Sequence, residues 1–208
     1  MTVRPFGDRA FLIELEQRID PSIIDAARAI ADAWEQRDIG DAIPAYASVV
    51  LVFDPARTSW PDAAREAAAL AAAPPRPAAA SAGTLIEIPT VYDGPDLAET
   101  AARSNLSPDE LIALHSGREY RAFFLGFMPG LAYSGMLDPR IDAPRLSSPR
   151  PRVPAGSVGV ANGQTVVYPA DSPGGWRLIG RTELAVFDPT RDPATLIRAG
   201  DRLRFVPT

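Results

Sequence analysis

Cysteine and lysine are absent from the 208-residue chain, and histidine occurs once, at His115. Without cysteine there can be no disulfide, thiolate zinc site, iron–sulfur cluster or cysteine nucleophile. A single histidine excludes a multi-histidine metal site within one chain, and no metal site is expected. Without lysine, a Walker A phosphate loop, a Schiff-base lysine, pyridoxal phosphate attachment and biotinylation are all excluded. No apolar run approaches the ~20 residues of a membrane span. Residues Met1 to Asp20 carry charge throughout, with no signal-peptide apolar stretch. A cytoplasmic location without a membrane partner is therefore expected. The 21 basic residues are all arginine and face 26 acidic ones, for a net charge of −5. That balance is not the footprint of a nucleic-acid binder.

The length allows one large domain or two small ones. The segment from Ala71 to Gly83, AAAPPRPAAASAG, combines prolines with small residues and has no large apolar side chain. It predicts a linker over residues 74–83, between a domain at 1–73 and another at 84–208. In the first, Phe11, Ile13 and Leu15 alternate as a strand does. Asp20-Pro21 caps a helix carrying Ile23, Ala27, Ile30 and Trp34 at helical spacing. Ser48 to Phe53 reads as a second strand. Asp62 to Ala73 reads as an Ala-rich helix opened by Ser59 and Pro61, completing a small α/β layer. In the second domain Thr84 to Tyr92 reads as a strand. Ser107-Pro108-Asp109-Glu110 is a capping box for a helix that stops at Gly117. Ser157 to Ala161 and Gln164 to Tyr168 flank Asn162-Gly163, the dipeptide of a type I′ hairpin turn. Trp176 to Gly180, Glu183 to Phe187 and Arg202 to Val206 add further short strands. The class is α+β, a small α/β N-terminal domain followed by a β-barrel.

Several motifs carry both a chemical and a purely structural reading. Ala155-Gly156-Ser157-Val158-Gly159 resembles a nucleophile elbow, but a hairpin strand follows where an elbow needs a helix. The alternatives are a loop whose N–H groups line a pocket and an ordinary tight turn. His115, near the end of the capped helix, is a candidate general acid whose pKa the helix dipole would raise, or a packing residue. Phe123 to Tyr133 and Ser172 to Trp176 place glycine and proline turns beside aromatics, where backbone either approaches a ligand or turns a corner. Arg140, Arg145, Arg150 and Arg152 could clamp a carboxylate or phosphate, or form a solvated loop with Asp138 and Asp142.

Taken in order, several runs resemble the KipI / allophanate-hydrolase-subunit-1 family. They are His115-Ser116, Gly126-Phe127-Met128-Pro129-Gly130, Pro144-Arg145-Leu146, Val153 to Gly159, Gln164-Thr165, Tyr168-Pro169, Ser172 to Trp176 and Ile179-Gly180-Arg181-Thr182. The chain departs from the common family pattern at Leu131, Ser134, Met136 and Asn162. The resemblance implies that the barrel is cyclophilin-like. It also implies a non-autonomous part of a hydrolase that opens a small cyclic amide, 5-oxoproline, to glutamate. ATP with magnesium would be used by the assembled complex, in which this chain would work beside a homologous C component and a separate A component. The matching positions make His115 and Arg181 the candidate catalytic residues. They make Phe127, Pro129, Gly130, Pro154, Ala155, Gly156, Ser157, Gln164, Tyr168, Pro173, Gly174, Gly175, Trp176 and Thr182 the candidate substrate-binding residues. In this reading Arg181 faces a carboxylate or phosphate, and the N–H groups of the 154–157 loop face an oxyanion. Two alternatives stand beside it: a KipI-like protein that binds and inhibits a sensor histidine kinase, and a component of urea or allophanate amide hydrolysis.

Overall fold

The chain divides into two units, Met1–Ser81 and Ala82–Thr208, in a computed structural model that describes residues 1–18, 20–75 and 83–208. Most of the expected 74–83 linker, residues 76–82, lies outside the described residues.

The first unit runs β1 (Thr2–Pro5), β2 (Ala10–Glu14), α1 (Pro21–Glu35), β3 (Ala42–Pro44), β4 (Ser48–Val52) and α2 (Trp60–Ala72). The Asp20 carboxylate accepts from the Ser22 N–H and starts α1, and Ser59 caps α2, as the sequence predicts. The strands form one antiparallel sheet in the order β1-β2-β4-β3. Phe11, Ile13, Val49 and Leu51 point from it into a core with Ala27, Ile30 and Trp34 of α1 and Ala63, Ala67 and Leu70 of α2. Each large side chain buried there contributes about 1.5–3 kcal/mol. The edge strands β1 and β3 give little sequence signal because they are short and each ends in proline, the device that protects a sheet edge from further pairing.

The second unit contains β5 (Leu85–Thr90), α3 (Leu97–Arg103), α4 (Pro108–Ser116), β6 (Tyr120–Leu125) and β7 (Ala132–Gly135). It continues through β8 (Arg150–Val153), β9 (Ser157–Ala161), β10 (Gln164–Val167), β11 (Ser172–Gly174), β12 (Arg177–Arg181) and β13 (Arg202–Pro207). Seven of these strands form a sheet in the order β12-β9-β10-β7-β6-β13-β5. The sheet curls until Val91, just past β5, bridges Arg181 at the end of β12, with both N–H···O distances 2.9 Å. This pair nearly closes the expected barrel. The capping box at Ser107 and Glu110 forms, α4 stops at Gly117, and Asn162-Gly163 turns the β9–β10 hairpin with φ of 49° and 79°. Val158, Val160, Val167, Ile179, Leu203 and Phe205 fill the interior, and Leu111 of α4 joins them.

Residues 183–187 do not form the expected strand. The Leu184 N–H bonds to the Thr182 hydroxyl at 3.1 Å, and only an isolated bridge joins Phe187 to Thr195. Strands β6, β7, β8 and β11 and helix α3 are elements that the sequence pattern does not announce.

Candidate functional site

Strands β9 and β10 are buried on both faces. Side-chain alternation sends Val158, Val160 and Val167 into the barrel and leaves Ala161 and Val166 on its outer wall. There they join Leu131, Val153, Tyr168, Trp176 and Leu178 in a second apolar cluster. Beside it, β8 and β11 pair as a separate two-stranded ribbon. A cleft of about 250 Å³ opens in this region, lined by Phe127, Leu131, Tyr133, Arg145, Pro149, Val166, Tyr168 and the turn Pro173-Gly174-Gly175-Trp176.

The rings in the cleft hold one another. Tyr133 stacks on Phe124 with centroids 4.8 Å apart and lies 5.8 Å from Trp176. The Tyr168 hydroxyl packs against the 173–176 turn. It lies so close to Gly174 that a Cβ at that position would come within 2.5 Å of the hydroxyl, which gives the turn a reason for glycine there. Burial pushes both tyrosine hydroxyls to higher pKa, and the charge of Arg145 opposes that rise at each.

Arg145 is the charged residue of this lining, and its Cζ sits 5.7 Å from the centre of the Trp176 ring. The other arginines of its stretch are committed to carboxylates. Arg140 pairs with Asp138, Arg150 with Asp96 at 2.6 Å, and Arg152 with Asp171 at 2.7 Å. Arg145 makes no ion pair among the described residues.

A second cleft, of about 390 Å³, is lined by Ala155, Gly156, Tyr168, Pro169, Arg181, Thr182 and residues 183–186. Tyr168 therefore borders both clefts. The predicted residues fall into two groups: Phe127, Tyr168, Pro173, Gly174, Gly175 and Trp176 on the aromatic cleft, and Ala155, Gly156, Arg181 and Thr182 on the second. Pro129, Gly130, Pro154, Ser157 and Gln164 line neither. Gly130, at φ 81°, packs under Phe187, and Ser157 opens β9 with no helix behind it. Leu131, Tyr133, Arg145, Pro149 and Val166 line the aromatic cleft without belonging to the predicted set.

His115 corrects the sequence reading most sharply. Its ring is fully buried, with Nδ1 2.7 Å from the Tyr92 hydroxyl, Nε2 3.0 Å from Thr165 Oγ1, and the rings of Tyr120 and Phe205 beside it. The pKa is not raised by the helix end. Loss of water drives it down to about 3, so the imidazole is neutral near pH 7. In this position His115 joins α4, β10 and residue 92 and touches neither cleft.

The backbone N–H groups of the 154–157 loop, expected to face an oxyanion, have partners within the fold. Pro154 has no N–H. Ala155 N–H donates to Asp171 at 2.9 Å, Gly156 N–H to the Tyr168 carbonyl at 2.8 Å, and Ser157 N–H to the Pro154 carbonyl at 3.2 Å. Each backbone N–H of the loop is thus paired within the fold. Arg181 remains at the surface, paired with Asp93 at 2.9 Å.

Among the described residues no group of three or more His, Cys, Asp or Glu side chains converges as a metal cage. Among the same residues no helix is long and apolar enough to cross a membrane.

A family model described as the carboxyltransferase domain, subdomain C and D, matches residues 1–197. Curated relatives named as the B component of 5-oxoprolinase include one from Bacillus subtilis, 54% identical over 125 residues, covering 59% of this chain and 52% of that protein. Another, from Haemophilus influenzae, is 42% identical over 127 residues and covers 60% of each. Each match spans little more than half the length of the curated relative. These names agree with the family read from the motifs. Among solved structures, TTHA0988 superposes with a TM-score of 0.83 at 39% identity, covering 96% of this chain and 40% of that one. The conserved uncharacterized protein PH0987 from Pyrococcus horikoshii is also 39% identical, covers 100% of this chain and 97% of its own, and has a TM-score of 0.58. The urea amidolyase of K. lactis shares the fold, with a TM-score of 0.77 at 19% identity over 99% of this chain and 15% of that one.

Proposed function

Because the chain belongs to the carboxyltransferase subdomain C and D family, we propose that it serves as the B component of an ATP-dependent 5-oxoprolinase, opening 5-oxo-L-proline to L-glutamate. The observation that carries this reading is the identity of 42–54% to curated proteins that all bear the name of that 5-oxoprolinase component. The partners are a homologous C component and a separate A component, and the reacting site is completed by them. ATP is a substrate of the assembly, in which phosphorylation of the carboxylate or amide precedes hydrolysis. These 208 residues, having no lysine, contain no Walker A loop.

This chain's part is binding and orientation. The aromatic cleft can exclude water from a compact ring, and Arg181, at the edge of the second cleft, can meet a charged group of substrate or partner. Neither alternative reading gains a specific observation, since the likeness to urea amidolyase is at 19% identity and speaks for the fold alone.

The test is complementation of a Bacillus subtilis strain lacking its own B component. Expression of this chain should restore ATP-dependent release of glutamate from 5-oxo-L-proline in the lysate. Release that stays absent while the chain accumulates and co-purifies with the resident partner components would contradict the reading.

A further inference from the structure

We propose that the aromatic cleft is a binding site for a compact-ring monocarboxylate, and that Arg145 is the anchor for its carboxylate. The choice of ring rests on the 5-oxoprolinase reading, and the choice of a carboxylate rests on the cleft itself.

Arg145 is exposed, yet its backbone is held on both sides. The Pro144 carbonyl accepts from Nε of the buried Arg177 at 3.0 Å, and the Leu146 N–H donates to the Gly175 carbonyl at 2.7 Å. The guanidinium is thereby kept over Trp176, 5.7 Å from the ring centroid, where cation–π attraction holds it without using its N–H donors. An arginine placed in this way, with its neighbours Arg140, Arg150 and Arg152 all neutralised by aspartates, offers a fork of donors to an anion. Tyr168 lines the same cleft, and its hydroxyl can donate a hydrogen bond there. The walls are otherwise rings and aliphatic carbons, which suit a small ring. The volume of about 250 Å³ falls below the ~300–1,000 Å³ typical of drug-sized ligands, so the occupant is small.

The experiment is a titration of the full chain, followed by the indole N–H resonance of Trp176, with three probes. These are 5-oxo-L-proline, cyclopentanecarboxylate, and 2-pyrrolidinone, which keeps the lactam ring and lacks the carboxylate. Both carboxylates should bind saturably. Replacing Arg145→Gln, at an exposed position that leaves the fold intact, should weaken them by roughly tenfold or more, and 2-pyrrolidinone should bind at least as poorly to the unaltered chain. Equal binding to Arg145→Gln, equal binding of 2-pyrrolidinone, or no saturable binding by any probe would overturn the proposal. Two outcomes separate it from the reading it rests on. Arg145-dependent binding of cyclopentanecarboxylate without binding of 5-oxo-L-proline upholds the carboxylate site and contradicts the 5-oxoprolinase reading. An assembled complex that releases glutamate equally well with Arg145→Gln upholds that reading and overturns this site.

Discussion

The hydroxyl of Tyr92 lies 2.7 Å from Nδ1 of His115, and Thr165 takes up the other ring nitrogen at 3.0 Å, so the lone histidine of the chain is a satisfied core residue. Removing it takes this partner from the buried Thr165 hydroxyl and the part-buried Tyr92 hydroxyl and opens a cavity against Phe205. His115→Ala should cost about 2–4 kcal/mol of stability in urea denaturation.

The same burial predicts a dependence on pH. The folded pKa of about 3 lies below the ordinary value of 6.5, so the unfolded chain binds the proton more readily. The stabilisation is complete above the unfolded value and is lost as pH falls from 6.5 toward about 3. Between about pH 7 and pH 5 the unaltered chain should lose about 2 kcal/mol more than His115→Gln, measured by urea denaturation at the two pH values. Parallel losses in the two proteins would contradict a neutral, buried imidazole.

Asp96 ties the start of α3 to β8 and β12. One carboxylate oxygen accepts from Arg150 at 2.6 Å and the other from the Leu178 N–H at 2.6 Å, with the side chain almost fully buried. Asp96→Ala strands a partly buried guanidinium and a buried backbone donor, and should destabilise the second unit by about 2–4 kcal/mol. Thermal unfolding checks this, and Arg150→Ala, which leaves the Leu178 bond intact, should cost less.

Gly156 is confined by its conformation. At φ 78° it sits where side chains are disfavoured, and a Cβ would overlap the Thr182 carbonyl. Gly156→Ala should cost about 2 kcal/mol and lower the melting temperature by about 4–8 °C in a calorimetric scan.

Arg181 tests function apart from folding. Its pair with Asp93 is about half exposed on both sides, at 54% and 47%, and such pairs contribute about 0–1 kcal/mol. Arg181→Ala should leave the melting temperature nearly unchanged while lowering kcat/KM of the assembled complex by about tenfold or more. Full activity in that complex would remove Arg181 from the site.

Local chemistry makes much of the fold legible. Asp20, Ser59 and Ser107 announce their helices because a cap is a contact within a few residues, and Asn162-Gly163 announces its hairpin because the turn needs positive φ. Strand β6 is hidden because Phe123 and Phe124 lead straight into a glycine and proline turn, so the whole run resembles a loop. The site is only half legible for a similar reason. Trp176 and Tyr168 stand beside turn motifs, whereas Arg145 is set apart by its place over Trp176 and Arg150 by its distant partner Asp96, relations between residues far apart in sequence that no spacing encodes. His115 misleads because position at a helix end suggests a raised pKa, while the barrel packs around it and removes its water.

The most direct measurement is reconstitution. This chain, purified and combined with the A and C components, should release glutamate from 5-oxo-L-proline in step with ATP hydrolysis, and the release should vanish when this chain alone is left out. A stable three-component assembly that hydrolyses no 5-oxo-L-proline, or one whose activity persists without this chain, would contradict the account.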